Sequence, residues 1–123
     1  MPQYKILIID DERDLTTLTA KRIRAAGYVV ECHFEGKDAL STIRNLNPDL
    51  VLLDLKLPDV SGIDIFRDIQ NDPNLRTIPI IFISAMHKEE EYCLHVLKAK
   101  GFIAKPYDSK VLLNTIQNTL QDV

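Results

Sequence analysis

Short apolar runs alternate five times with longer stretches in which apolar residues recur at helical spacing. The runs span residues 6–9, 28–32, 50–53, 78–83 and 102–104. Most are continuously apolar, as in Ile80-Ile81-Phe82-Ile83, which is typical of strands that are covered on both faces in a parallel sheet. The run at 28–32 is more mixed and therefore indicates an edge strand.

The intervening stretches predict five helices, each with one apolar stripe. The stripes consist of Leu15, Leu18, Thr19, Ile23 and Ala26; of Ala39, Leu40, Ile43 and Leu46; of Ile65, Phe66 and Ile69; of Cys93, Val96 and Leu97; and of Leu112, Leu113, Ile116 and Leu120. Gly27 predicts the end of the first helix, and Asp108 predicts the N-cap of the fifth.

Five βα units joined by right-handed crossovers can form an open doubly wound sheet or an incomplete barrel. A chain of 123 residues favours the open sheet. The expectation is therefore an α/β fold, a single (βα)5 domain over residues 1–123. In such a sheet, ligands bind at the carboxyl ends of the strands.

Composition narrows the functional classes. The net charge of -3 provides no broad basic surface, which argues against binding to nucleic acid or to a membrane surface. No apolar stretch approaches the roughly 18 residues of a membrane span, and the first residues lack the pattern of a signal peptide. We therefore expect a cytoplasmic protein. Cys32 and Cys93 have no metal-binding spacing and are expected to be reduced thiols.

Polar residues stand where the interior strands end: Asp10-Asp11-Glu12, Asp54, Ser84 and Lys105. Converging carboxylates repel one another unless a cation holds them, and oxygen ligands suit Mg²⁺. A hydroxyl and an ammonium group beside them can contact the oxygens of a phosphoryl group. Each residue alone could be a cap or a turn residue, but their joint placement predicts phosphoryl transfer to a carboxylate.

Four motifs carry a resemblance to a known family. They are Ile8-Ile9-Asp10-Asp11-Glu12, the stretch from Pro48 to Gly62 that contains Asp54, the pair Ser84-Ala85, and Lys105-Pro106. From Lys5 to about Leu120 the chain resembles the receiver domain of two-component response regulators. The resemblance implies a flavodoxin-like sheet with the strand order 2-1-3-4-5.

The same resemblance implies a phosphorylation site. Asp54 corresponds to the phosphoacceptor and Asp11 to the direct ligand of Mg²⁺ or Mn²⁺. Asp10 would hold metal-bound water, and the main-chain carbonyl of Lys56 would be a further metal ligand.

It also implies a conformational switch. Ser84 would bind a phosphoryl oxygen, Lys105 would pair with the carboxylate or phosphoryl charge, and Phe102 would turn inward. The surface expected to change includes residues 87–100, Phe102 and residues 107–114. The bond between Lys105 and Pro106 is expected to be cis.

Two departures from the family pattern stand out. The segment Lys98-Ala99-Lys100-Gly101-Phe102 is one or two residues shorter than is common, so an unusual junction is expected after the fourth helix. Lys56 and Met86 occupy the two positions that flank the path of an attacking water in the family. Neither is a carboxylate or an amide that could orient water, which predicts slow self-dephosphorylation.

The implied function is that of a phosphoacceptor in a phosphorelay, not of a conventional enzyme. The partners would be a sensor histidine kinase or a histidine phosphotransfer protein, and a downstream protein; the chain would be a monomer or a phosphorylation-dependent dimer. A haloacid dehalogenase-type phosphatase would need DxDxT where the chain has Asp10-Asp11-Glu12-Arg13-Asp14, and acids there would repel the phosphate of a flavodoxin's flavin. A receiver-like module that works without phosphorylation would usually lack one of these site residues. Whether the chain acts alone or belongs to a longer protein stays open.

Overall fold

Five parallel strands form one sheet. The computed structural model describes residues 3–121, without the side chain of His87. The strands are β1 (Lys5–Ile9), β2 (Val29–His33), β3 (Leu50–Asp54), β4 (Ile80–Ser84) and β5 (Gly101–Ala104). Their order is β2-β1-β3-β4-β5, and every neighbouring pair is parallel. The predicted α/β class and strand order are thus confirmed. Residues 1, 2, 122 and 123 of the predicted domain lie outside the described part.

Helices cover both faces of the sheet: α1 (Arg13–Ala25), α2 (Ala39–Leu46), α3 (Gly62–Gln70) and α4 (Ser109–Gln121). The central strand β3 shows why its sequence is continuously apolar. Val51 and Leu53 pack with α2 and α3, whereas Leu50 and Leu52 pack with α1 and α4. None of the helices within residues 3–121 combines the length and apolar character that a bilayer crossing requires.

The predicted apolar stripe of α1 is wrong in part. Leu18 is 47% exposed and Ala26 is also exposed, whereas the buried face contains Thr16, Thr19, Ala20 and Ile23. Thr19 and Ile23 belong to both rows, and the buried row is rotated around the helix toward Thr16 and Ala20. The Thr19 hydroxyl lies 2.7 Å from the Tyr107 hydroxyl, so a polar contact helps to orient the helix.

The predicted fourth helix is present but irregular, within the β4–β5 connection (residues 85–100). A 3₁₀ turn at His87–Glu89 continues through Glu90 and Glu91 into a π turn at Tyr92–Val96. The wider π turn places Cys93 in the core but leaves Val96 62% exposed, so the predicted stripe is wrong at Val96. Lys98 then adopts a left-handed φ of 62°. The junction is unusual, as its shortness predicts.

Predicted boundary signals agree with the structure at three points. Gly27 follows α1 with a φ of 104°, a conformation that favours glycine. Asp108 caps α4, since its Oδ1 accepts a hydrogen bond from the Lys110 amide at 2.6 Å. The peptide bond between Lys105 and Pro106 is cis.

Candidate functional site

Four neighbouring strands bring the predicted polar residues to one edge of the sheet. Asp10 directly follows β1, Asp54 ends β3, Ser84 ends β4 and Lys105 directly follows β5. Because β1, β3, β4 and β5 are consecutive in the sheet, their carboxyl ends meet. They enclose a cavity of about 470 Å³, the acidic cleft, lined by Asp11, Glu12, Asp54, Lys56, Leu57, Pro58, Ser84, Ala85, Met86 and Lys105.

Lys105 is the cationic centre of the acidic cleft. Its Nζ lies 2.7 Å from Glu12 Oε1, 3.0 Å from Asp10 Oδ2 and 3.2 Å from Asp54 Oδ2. Burial lowers its pKa, but the contacts with Glu12 and Asp10 and the charge of Asp54 raise that pKa overall. The side chain therefore stays charged and partly offsets three carboxylates.

The environment of Asp54 is unfavourable to its negative charge. Burial and then the neighbouring Asp10 carboxylate raise its pKa to about 6, against the opposing effects of Lys105 and the Lys56 amide. One ammonium group is thus not enough to neutralise the negative charge of these carboxylates. The acidic cleft can accommodate additional positive charge.

The donor set fits a hard divalent cation. Carboxylate oxygens of Asp10, Glu12 and Asp54 lie within 4.8 Å of one another. Asp10 Oδ2 is buried and has no hydrogen-bond partner of suitable geometry among residues 3–121, although Lys105 Nζ is near it. An unsatisfied buried oxygen beside two other carboxylates is suited to Mg²⁺.

The structure places Asp11 and Glu12 differently from the sequence prediction. Asp11, the predicted direct ligand, is exposed and lines the acidic cleft, but it is outside the carboxylate cluster. Glu12 belongs to the cluster and makes the shortest contact with Lys105. Sequence reasoning assigned Glu12 no role. Its only signal was its place in the acidic triplet, and its reach toward Lys105 depends on the tertiary structure.

The remaining predicted residues border the acidic cleft or the strand behind it. The Lys56 amide donates to Asp54 Oδ1 at 3.2 Å, which places the Lys56 main chain against the Asp54 carboxylate. Ser84 is buried, and its Oγ accepts a hydrogen bond from the Met86 amide at 2.9 Å. Phe102 lies opposite Phe82 on β5, partly buried against the apolar cluster under α3. An aromatic side chain therefore borders the strand that ends in Ser84.

Comparison with known proteins agrees with this geometry. The family model of the response regulator receiver domain matches residues 6–117. The fold is similar to that of a CheY-like response regulator receiver domain protein from Methanospirillum hungatei, with 25% identity, a TM-score of 0.87 and coverage of 98% of this chain and 96% of the other. The signal receiver domain of a signal transduction histidine kinase from Syntrophus aciditrophicus shows 26% identity, a TM-score of 0.86 and coverage of 98% and 92%.

Chemotaxis response regulator CheY4 of Vibrio cholerae shares the fold, with 23% identity, a TM-score of 0.86 and coverage of 96% of this chain and 99% of the other. The family match spans nearly all of the sheet and each of the strand ends that form the acidic cleft. The chain therefore belongs to the response regulator receiver domain family of two-component signalling.

Proposed function

We propose that this receiver domain, residues 1–123, accepts a phosphoryl group on Asp54 from a phosphohistidine of a partner protein and then changes conformation. The observation that carries the proposal is the buried Asp54 carboxylate, which lies against the Lys105 ammonium together with the buried Asp10 carboxylate. A carboxylate in this position is a nucleophile whose neighbours can offset the charge of a phosphoryl group.

The transfer moves the phosphoryl group from a histidine nitrogen to a carboxylate oxygen. A carboxylate oxygen of Asp54 forms a bond to phosphorus, and the bond between phosphorus and the donor histidine nitrogen breaks. The ring nitrogen keeps the electron pair. Lys105 remains charged and pairs with the new phosphoryl group, and Ser84 donates its hydroxyl proton in a hydrogen bond to a phosphoryl oxygen.

Mg²⁺, or Mn²⁺ in its place, is the proposed cofactor. Family correspondence assigns Asp10, Asp11, Asp54 and the Lys56 carbonyl to its site, and the observed carboxylate cluster adds Glu12. When bound, the cation neutralises charge on the attacking and the transferred oxygens. Asp10 and Glu12 also contact the Lys105 ammonium, so they compete with Asp54 for its charge and weaken its electrostatic stabilisation of Asp54.

The proposed partners follow from this chemistry. The donor is a sensor histidine kinase or a histidine phosphotransfer protein, and the similar domain of a histidine kinase supports that assignment. The output is a downstream protein or domain and involves neither nucleic acid nor a membrane directly. The chain assists its own phosphorylation and dephosphorylation without being a conventional enzyme, and it acts in the cytoplasm as a monomer or a phosphorylation-dependent dimer.

Incubation with acetyl phosphate and Mg²⁺, followed by intact-mass measurement, tests the proposal. We expect the wild-type chain to gain one phosphoryl group, and we expect Asp54→Asn and excess EDTA each to abolish the gain. Asp49→Asn is the matched control, because Asp49 precedes the same strand at its opposite end. Undiminished labelling of Asp54→Asn would exclude Asp54 as the acceptor. No labelling of the wild-type chain under any metal condition would favour a module that works without phosphorylation.

A further inference from the structure

The β3–α3 loop (residues 55–61) is closed at its base. The Gly62 amide donates to the Leu55 carbonyl at 2.8 Å, and Lys56 and Ser61 form an antiparallel bridge. Ser61 also caps α3, since its Oγ accepts a hydrogen bond from the Ile63 amide at 3.1 Å. The two ends of the loop are therefore fixed to each other and to the helix that follows.

The tip of this loop is attached to the β2–α2 loop (residues 34–38) through Asp59. Its Oδ1 accepts a hydrogen bond from the Gly36 amide at 2.9 Å, and its Oδ2 accepts one from the Lys37 amide at 2.7 Å. These amides, with Gly36 first, hold the pKa of Asp59 below its usual value. A Cβ at Gly36 would lie only 2.2 Å from Val60 Cγ2. A side chain at residue 36 would therefore collide with Val60 unless Val60 moved or were smaller.

The β2–α2 loop is itself held in place. The His33 ring donates from Nε2 to the Lys37 carbonyl at 2.6 Å, and the Arg13 guanidinium lies 4.3 Å from the centre of the Phe34 ring. On its other side, the β3–α3 loop borders an open cavity of about 410 Å³, whose far wall includes Met86 and Glu89. Asp59 therefore attaches the tip of the β3–α3 loop to an ordered neighbour on one side, while open space lies on the other.

We propose that Asp59 is a positioning residue that sets the divalent-cation affinity of the acidic cleft. It holds the β3–α3 loop so that the main chain of Lys56 stays against Asp54, where the Lys56 amide already contacts Oδ1 at 3.2 Å. The inference rests on the proposed function, because the Lys56 carbonyl is a proposed ligand there. Because its two ends are held to each other, the loop without Asp59 can tilt as a unit toward the open cavity and carry that carbonyl away from the acidic cleft.

A matched control separates this role from a simple loss of stability. Asp49 is also exposed, and its Oδ2 also accepts a backbone hydrogen bond from a distant segment, the Lys5 amide, at 2.8 Å. Asp49 lies at the opposite end of β3 from the acidic cleft. Asp49→Ala and Asp59→Ala should therefore destabilise the fold to a similar extent, but only Asp59→Ala should change cation binding.

The experiment is a Mg²⁺ titration of the full chain, followed by the NMR signals of the Asp54 and Lys56 amides. Supporting residues of metal sites commonly change affinity by one to two orders of magnitude, so we expect Asp59→Ala to weaken Mg²⁺ binding about tenfold. Asp59→Asn keeps one acceptor oxygen and should fall between Asp59→Ala and the wild type. Before Mg²⁺ is added, faster hydrogen exchange of the Lys56 amide in Asp59→Ala should report a loosened loop.

Gly36→Ala provides an independent test from the partner loop. The added methyl group meets Val60, so it should also weaken Mg²⁺ binding, and the second substitution Val60→Ala should restore part of the affinity by making room. This pair also keeps the inference testable if Asp59→Ala does not fold.

The outcomes distinguish the two proposals. If the wild-type chain does not bind Mg²⁺ at all, the proposed function fails. If the wild type binds Mg²⁺ but Asp59→Ala binds it with unchanged affinity, only the role of Asp59 fails. The role also fails if the single variants Asp59→Asn and Gly36→Ala both bind Mg²⁺ with unchanged affinity. An equal loss of affinity in Asp49→Ala would likewise overturn it, because the effect would then be general destabilisation.

Discussion

Two connections border the acidic cleft, and they are built in opposite ways. The β3–α3 loop is short, closed by backbone hydrogen bonds at its base and attached to a second loop through Asp59. The β4–β5 connection is longer, contains an irregular helical segment over residues 87–96 that passes from a 3₁₀ turn into a π turn, and has Cys93 as the one buried side chain among those described. The β3–α3 loop can therefore keep the groups beside Asp54 in fixed positions. The β4–β5 connection can change its conformation at a small cost in free energy.

The contacts of the β4–β5 connection support this contrast. Tyr92 accepts a hydrogen bond from Arg67 through its hydroxyl at 2.8 Å, and this contact is exposed. Exposed polar contacts contribute little to stability, so a new contact at Ser84 can compete with them.

The largest expected effect comes from a pair of glycines, one directly after each connection. A Cβ at Gly62 would lie 2.2 Å from the Asp54 carbonyl oxygen, whereas a Cβ at Gly101 would meet Ile81 and Thr115 at 3.4 to 3.5 Å. Overpacking against backbone should lower the free energy of unfolding of Gly62→Ala by about 2 to 3 kcal/mol. Gly101→Ala should stay within about 0.5 kcal/mol of the wild type. Urea denaturation measures both, and equal losses would remove the contrast between the two connections.

A smaller effect should follow from Ser84→Ala, which removes the hydroxyl that is proposed to bind the phosphoryl group and that accepts a hydrogen bond from the Met86 amide of the β4–β5 connection. Beryllofluoride, a phosphoryl mimic, should produce large chemical-shift changes in the wild type at Phe102, in the β4–β5 connection and in residues 107–114. Because a ligand shifts a conformational equilibrium only by its differential affinity, Ser84→Ala should lose most of these changes while still binding the mimic. Equal changes in both proteins would remove Ser84 from the switch, and changes confined to α1 and the acidic cleft would argue against the switch itself.

The smallest expected effect concerns the lifetime of the phosphoryl group. Lys56 and Met86 lie on opposite walls of the acidic cleft, and neither can orient a water molecule for attack. Introducing Lys56→Asn together with Met86→Glu should shorten the phosphoryl half-life several-fold, measured by intact mass after removal of the donor. Exchanging the exposed Lys88 for glutamate adds the same charge outside the acidic cleft and serves as the control. An unchanged or longer half-life in the double variant would contradict the prediction.

Sequence patterns predicted the interior of the sheet well, because a strand covered on both faces must be apolar throughout. Every residue of β3 and of β4 is buried, so their short apolar runs indicate interior strands clearly. The same reasoning failed at Leu18 and Val96, where apolar residues are exposed. A helical stripe can be rotated around its helix when small residues such as Thr16 and Ala20 pack closely, and a π turn changes the angle between successive side chains.

The site was predictable to the extent that strand ends determine it. Asp10, Asp54, Ser84 and Lys105 meet because strand order places their strands side by side. The role of Glu12 in contacting Lys105 could not be read from spacing, since a long, exposed side chain reaches its partner only in the folded chain.

The contact of Asp59 with Gly36 and Lys37 had no sequence signal either. It joins two loops through main-chain amides, and any residue type except proline can supply such an amide.

The scattered origin of the site has a consequence during biosynthesis. Asp10 is made early, Asp54 near the middle and Lys105 close to the last helix, so the ribosome releases the parts of the acidic cleft one after another. A nascent chain that stops before β5 has the acceptor carboxylate but not the ammonium group that offsets it. Because domains fold as units, such an unfinished copy has no assembled acidic cleft, and under the proposed function it would not accept a phosphoryl group.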